Sequence, residues 1–142
     1  MIFAAEDEAS AKKLLPQMWA HPGPKPAGVY FHGQEKQFAL VRLELVDDDR
    51  RNPDRFNIVY HEYIHSLLHL NFRWLPTWLD EGLAEFYGFT RFEGNKTYIG
   101  APSRNRHMLD IFNSRSTIPL DRFLDKHASF SPSEADTYLF YR

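Results

Sequence analysis

The chain has 142 residues, 43% of them hydrophobic and 15% aromatic, with a net charge of -2; this suits one domain with one core and argues against a basic, nucleic-acid-binding face. It contains no cysteine, which excludes disulfides, thiolate metal sites and cysteine nucleophiles. No apolar run approaches the length of a membrane span, and the acidic residues directly after Met1-Ile2-Phe3-Ala4 are not those of a signal peptide, so an exported or periplasmic location would require that a leader has been removed.

In chain order, Ile2 to Ala4 reads as a short strand and Glu6 to Met18 as a helix with Leu14, Leu15 and Met18 facing the core. Pro22, Gly23, Pro24, Pro26 and Gly28 make a loop. Val29 to His32 and Gln37 to Val46 are strand-like runs joined by a hairpin turn at His32 to Lys36. In the second run Val41, Leu43 and Leu45 alternate with Arg42 and Glu44, the period of a strand with one wet face that borders a cleft. Asp47-Asp48-Asp49-Arg50-Arg51 reads as a solvated loop, with a calcium site as the less favoured reading. Asn52 is placed to cap a helix that starts with Pro53, carries Asp54 in its first turn and runs to about Leu70.

Inside that helix lies His61-Glu62-Tyr63-Ile64-His65, an HExxH motif. Residues four apart share one helix face, so His61 and His65 can offer two imidazole nitrogens to one ion, with Glu62 beside it. Val59, Tyr60, Tyr63, Ile64, Leu67, Leu68 and Leu70 surround the quadrant of His61, Glu62, His65 and His69, and a helix apolar almost all round is expected to be buried. Two imidazoles and a carboxylate in such a place need partners or a metal. His69 continues the stripe, but two turns separate it from His61, about 12 Å along the axis. It therefore lines the cleft, supports a ligand histidine, or is a plain buried histidine.

A second helix begins near Pro76 and ends at Gly88, with Leu79, Leu83 and Phe86 on one side and Glu81 and Glu85 on the other. A carboxylate pair there has the form of a third ligand and its supporting residue. Trp74 and Trp78 are expected to pack the junction of the two helices. Beyond it, Lys96 to Gly100 reads as a strand, and Ser103 to Phe112, Leu120 to Lys126 and Ser133 to Arg142 as helices. The last helix has no stop signal, so residues 1–142 are expected to be a single domain cut from a longer chain.

HEYIHSLLH followed by LPTWLDEGLAEFYG resembles the gluzincin zinc peptidases, most closely the bacterial peptidase-MA-like domains of unassigned function; the match covers about Asn57 to Gly88. Those families pair an HExxH helix with a helix bearing W-L-x-E-G-x-A, as the membrane alanyl aminopeptidases also do, and thermolysin-like enzymes keep a supporting carboxylate four residues after the ligand glutamate. The resemblance implies an α+β, zincin-like fold: a small, mostly antiparallel sheet over the active-site helix, with a helical C-terminal lower half. It implies one Zn2+ held by His61, His65 and Glu81, Glu62 as general base, and Glu85 as a carboxylate orienting His61 or His65. A late Tyr or His stabilises the transition state in these families; Tyr138 and Tyr141 are the nearest candidates, with His107 and His127 behind them. Two departures stand out. The gap from His65 to Glu81 is shorter than in thermolysin, and the Gly-x-Met-Glu-Asn signature of the aminopeptidases is missing, which leaves endopeptidase rather than aminopeptidase activity.

The expected function is zinc-dependent hydrolysis of a peptide or protein substrate bound in extended form along an edge strand. The alternative is a module that keeps the zinc and binds peptide or protein without turnover, and a third reading makes the helix pair structural with hydrogen-bonded histidines.

Overall fold

The computed structural model, which describes residues 1–20, 22–23, 25–33, 36–46, 52, 54–100 and 120–124, is a small α+β fold built on a three-stranded sheet. The strands are β1 (Ile2–Ala5), β2 (Gly28–His32) and β3 (Gln37–Arg42), in the order β1-β3-β2. β2 and β3 form the expected antiparallel hairpin, while β1 runs parallel to β3, with Ile2 opposite Ala39 and Ala5 opposite Arg42. The sheet is therefore mixed and not mostly antiparallel. The reason lies in the connection: helix α1 (Glu8–Leu14) and a 3-10 turn at Pro16–Trp19 carry the chain away from β1 before it enters the hairpin, so β1 joins the far edge of β3 in the same direction.

Asp7 caps α1, accepting a hydrogen bond of 2.8 Å from the Ser10 amide. The helix stops at Leu14, four residues before Met18, because the residue preceding Pro16 is pushed out of helical geometry; Leu15 has φ -133° and ψ 64°. That break turns Leu15 into the core, with Met18 packed against it, and leaves Leu14 exposed.

Residues opposite one another in an antiparallel pair share a face, which orients the sheet. Val29 and Leu40 are opposite, and with Ala5, Ala11 and Leu15 they make the core under α1. Gly28 opposite Val41 and Tyr30 opposite Ala39 turn to the other side. There Gly28 touches Glu62 of helix α2 (Asn57–Asn71). The central strand β3 is thus covered on both faces, and Ala39, Leu40, Val41 and Arg42 are all buried. The expected alternating strand to Val46 ends at Arg42, and Leu43–Leu45 form an exposed 3-10 turn. Arg42 is not on a wet face: its guanidinium is held by Glu8 at 3.2 Å and Glu44 at 2.7 Å.

Helix α2 begins four residues later than expected. Asn52 Oδ1 accepts from the Asp54 amide at 2.9 Å, which makes a turn rather than a helix cap. The Asp54 carboxylate is committed elsewhere, accepting from Arg91 Nε at 2.6 Å and Nη2 at 2.8 Å. The helix is also not buried all round. Among its described residues the deepest are Glu62 and His65, while Tyr63, Leu67 and Leu70 are exposed.

Helix α3 (Thr77–Gly88) starts and stops where the sequence predicts. It lies antiparallel to α2, with Asp80 near His69 and Gly88 near Asn57. Gly88 has no positive φ; its value is closeness, since a Cβ there would lie 3.3 Å from the Asn57 carbonyl and 3.4 Å from His61 Cβ. Trp74, expected at the helix junction, is exposed. After α3 comes a two-stranded hairpin, β4 (Arg91–Glu93) and β5 (Lys96–Tyr98), turning on Gly94 with φ 61°. Its first strand was not foreseen, and the second ends two residues before Gly100. A short helix α4 (Leu120–Leu124) falls within the expected Leu120 to Lys126 segment. The helices expected at Ser103 to Phe112 and Ser133 to Arg142 lie outside the described residues, as does the cluster Asp47 to Arg51.

Candidate metal centre

The antiparallel pairing of α2 and α3 sets the histidines of one against the carboxylates of the other. His61 and His65, one turn apart, bring their Nε2 atoms to 3.1 Å of each other. Glu81 Oε2 lies 3.4 Å from the first and 3.7 Å from the second. Three ligands of a tetrahedral zinc ion, each about 2.0–2.2 Å from the metal, stand roughly 3.3–3.5 Å apart. The triangle of His61, His65 and Glu81 brackets that spacing, so its three donor atoms could hold one metal ion.

Each imidazole is also held from behind. His65 Nδ1 donates to Asp80 Oδ1 at 2.9 Å, and His61 Nδ1 lies 3.3 Å from Glu85 Oε2. Carboxylates at both Nδ1 atoms keep the proton there and turn the Nε2 lone pairs toward the centre. Two lone pairs and a carboxylate oxygen then converge with no hydrogen among them, an arrangement that a cation satisfies. Without one, the site demands protons. Burial works against the imidazolium of His61, but Glu81 and Glu85 outweigh it and raise its pKa to about 9. Burial likewise opposes charge on His65, yet Asp80 and Glu81 raise it to about 10. Glu81, which burial alone would raise, is brought down to about 2 by the two histidines. The facing Nε2 atoms leave poor room for a proton on each. A dication removes that conflict.

Glu62 sits next to this triangle and feels the charges of His61, His65 and Glu81. It is 4% exposed. Its Oε2 is buried with no hydrogen-bond partner among the described residues. Burial raises its pKa to about 7, against the pull of the two histidines. On the other side, its carboxylate presses on the backbone of Gly28, where a Cβ would come within 2.6 Å of Oε1. Strand and helix are in step here: Gly28, Tyr30 and His32, two apart on β2, face Glu62, His65 and His69 on α2.

A second group of possible ligands, His65, His69 and Asp80, shares one histidine with the first. Its contacts are shorter: His69 Nε2 donates to Asp80 Oδ2 at 2.8 Å and His65 to Oδ1 at 2.9 Å. Those are hydrogen-bond lengths rather than spacings across a metal.

The expected residues His61, Glu62, His65, Glu81 and Glu85 are thus brought together, and His69 stands behind Asp80 instead of at the triangle. Tyr138, Tyr141, His107 and His127 lie outside the described residues. Asp80, Gly28 and Tyr30 were not foreseen as site residues. Asp80, about 100° round α3 from Glu81, reaches His65 and His69 through the antiparallel packing of α3 on α2, which spacing within one helix does not show. The strand whose residues meet Glu62, His65 and His69 is β2, an edge strand of the sheet.

Comparison of the chain with protein-family models, curated proteins and solved structures finds no match. The functional reading therefore rests on the residues and their geometry.

Proposed function

We propose that this chain is a zinc-dependent hydrolase of peptide bonds, of gluzincin type. The observation that carries the reading is the triangle of His61 Nε2, His65 Nε2 and Glu81 Oε2, with edges of 3.1, 3.4 and 3.7 Å, beside a buried carboxylate, Glu62, that has an unpartnered oxygen. Among the described residues three protein ligands converge, and three ligands leave a fourth position for water or substrate, as catalytic zinc sites do; structural sites close it with a fourth protein ligand. Bound there, zinc supplies a water whose pKa is lowered to about 7 and a Lewis acid for the carbonyl oxygen.

The chain's own residues do the rest. His61, His65 and Glu81 hold the ion, and Asp80 and Glu85 hold the two imidazoles at Nδ1. Glu62 takes the proton from the attacking water and returns it to the departing amine. The outer edge of β2 is without a strand neighbour among the described residues, and an extended peptide adds to such an edge through backbone hydrogen bonds. A module that binds zinc and peptide without turnover would gain nothing from Glu62, whose buried and unpartnered oxygen costs stability.

Elemental analysis of the purified chain and a screen for cleavage of peptide libraries test the reading. The expected result is one zinc per chain, lost in His65→Ala, and cleavage that Glu62→Gln abolishes while keeping the zinc. Unchanged cleavage in Glu62→Gln would refute its role as base. Zinc without cleavage in the wild type would leave the binding module.

A further inference from the structure

We infer that His69 is a positioning residue of the metal centre, acting through Asp80 to fix the orientation and tautomer of the ligand His65. The inference rests on the reading of the centre as a zinc site. Its basis is that both oxygens of one carboxylate are taken by two imidazoles on the same helix face: Oδ1 by His65 at 2.9 Å and Oδ2 by His69 at 2.8 Å. An aspartate held by one oxygen can still rotate about its terminal torsion, which is broad and roughly two-fold. Held by both, it cannot turn without breaking a charge-assisted bond.

The surroundings keep His69 in that role. The Tyr30 ring lies along both imidazoles, with centroids 5.9 Å from His65 and 5.2 Å from His69 and planes within 16° and 17°. Its hydroxyl is anchored, donating to Gln37 Oε1 at 3.0 Å. The His32 ring packs on His69 with centroids 4.8 Å apart. One aromatic plate thus aligns the ligand histidine and the histidine that holds its carboxylate. His69 is one turn too far along α2 to join the triangle. Its imidazole reaches the ion only through Asp80 and His65.

Two variants separate the hydrogen bond from the ring packing. His69→Phe keeps a ring against Tyr30 and donates nothing, whereas His69→Gln keeps a donor for Asp80 and loses the ring. Zinc affinity of the full chain is measured by competition with a chromogenic chelator. The visible spectrum of the cobalt(II)-loaded protein reports ligand geometry, and melting of the metal-free chain reports folding. Loss of a partner behind a ligand histidine typically weakens metal binding by about 10–100-fold. His69→Phe is expected to weaken zinc binding by about tenfold or more and to shift the cobalt bands, and His69→Gln to stay within about threefold of wild type. Wild-type affinity and spectrum in His69→Phe overturn the inference, and so does an equal loss in both variants, which would assign the effect to packing. A second zinc per chain that disappears in both variants also overturns it, by making His69 a ligand. A wild-type chain that takes up no zinc overturns the zinc reading itself, and the inference with it.

Discussion

Gly28 and Glu62 are packed so closely that a methyl group on the glycine would lie 2.6 Å from Oε1 and 2.8 Å from Cγ of the carboxylate side chain. Strand β2 therefore serves as a wall that sets where the proposed base stands, and only a residue without a side chain leaves it there.

Gly28→Ala is expected to move Glu62 while leaving His61, His65 and Glu81 in place. A misplacement of about 1 Å at a reacting group costs on the order of 100-fold in rate. Peptide cleavage should fall by about that factor, with zinc content unchanged. Full activity in the alanine variant would show that Glu62 does not act from this position.

The two carboxylates behind the ligand histidines are not equal. Asp80 meets His65 at 2.9 Å with its side chain 16% exposed, whereas Glu85 meets His61 at 3.3 Å and is 40% exposed. Solvent screens the more open pair. Asp80→Ala is expected near the upper end of a roughly 10–100-fold loss of zinc affinity, and Glu85→Ala near the lower end. Titration against a competing chelator gives both values, and a reversed order would contradict this ranking.

On the proposed reading, protons and metal compete for the same atoms. His61 and His65, raised to about 9 and about 10 from 6.5, stabilise the metal-free fold fully below pH 6.5 and lose that contribution as pH rises through 9 to 10. Glu62, raised from 4.5 to about 7, acts in the same sense between those values, whereas Glu81, lowered to about 2, acts oppositely and only between 2 and 4.5. The melting temperature of the chelator-treated chain should therefore fall from pH 6.5 to pH 10. The gain on adding zinc should grow over that window, because binding must release the imidazole protons. At a free zinc concentration about 100 times Kd the gain is about 2.7 kcal/mol. Calorimetry in buffers of different ionisation enthalpy should find about two protons released per zinc at pH 7, one from each imidazole; none released would mean that the histidines are not ligands.

What could be read from the sequence and what could not divide along a physical line. The ligand set follows from spacing within helices: four residues bring His61 over His65, and Pro76 and Gly88 bracket the helix that carries Glu81. The β2–β3 hairpin followed from apolar runs flanking a turn. The partners that come from another element are not visible there: Gly28 depends on the register of a strand on a helix, and Asp54 reads as a helix residue because its tie to Arg91, 37 positions away, has no local trace. Arg42, the last residue of β3, reads as solvent-facing by alternation, but the strand is covered on both faces and the guanidinium is held by Glu8 and Glu44. Strand β4 has a local signal in Gly94-Asn95, a two-residue hairpin turn between Arg91–Glu93 and Lys96–Tyr98.

The antiparallel packing of α2 and α3 has a last consequence, for the order in which the protein becomes competent. Among the described residues, every proposed ligand and every group bonded to its side chain falls between His61 and Glu85, within one pair of neighbouring helices joined by a short connection. Contacts that close short loops cost little chain entropy and form early. Glu62, by contrast, acquires its surroundings only when Gly28, 34 positions upstream, is brought against it. On the proposed reading, metal uptake belongs to a helical hairpin and proton transfer needs strand and helix together, so a partly folded chain would capture the ion before it could cut.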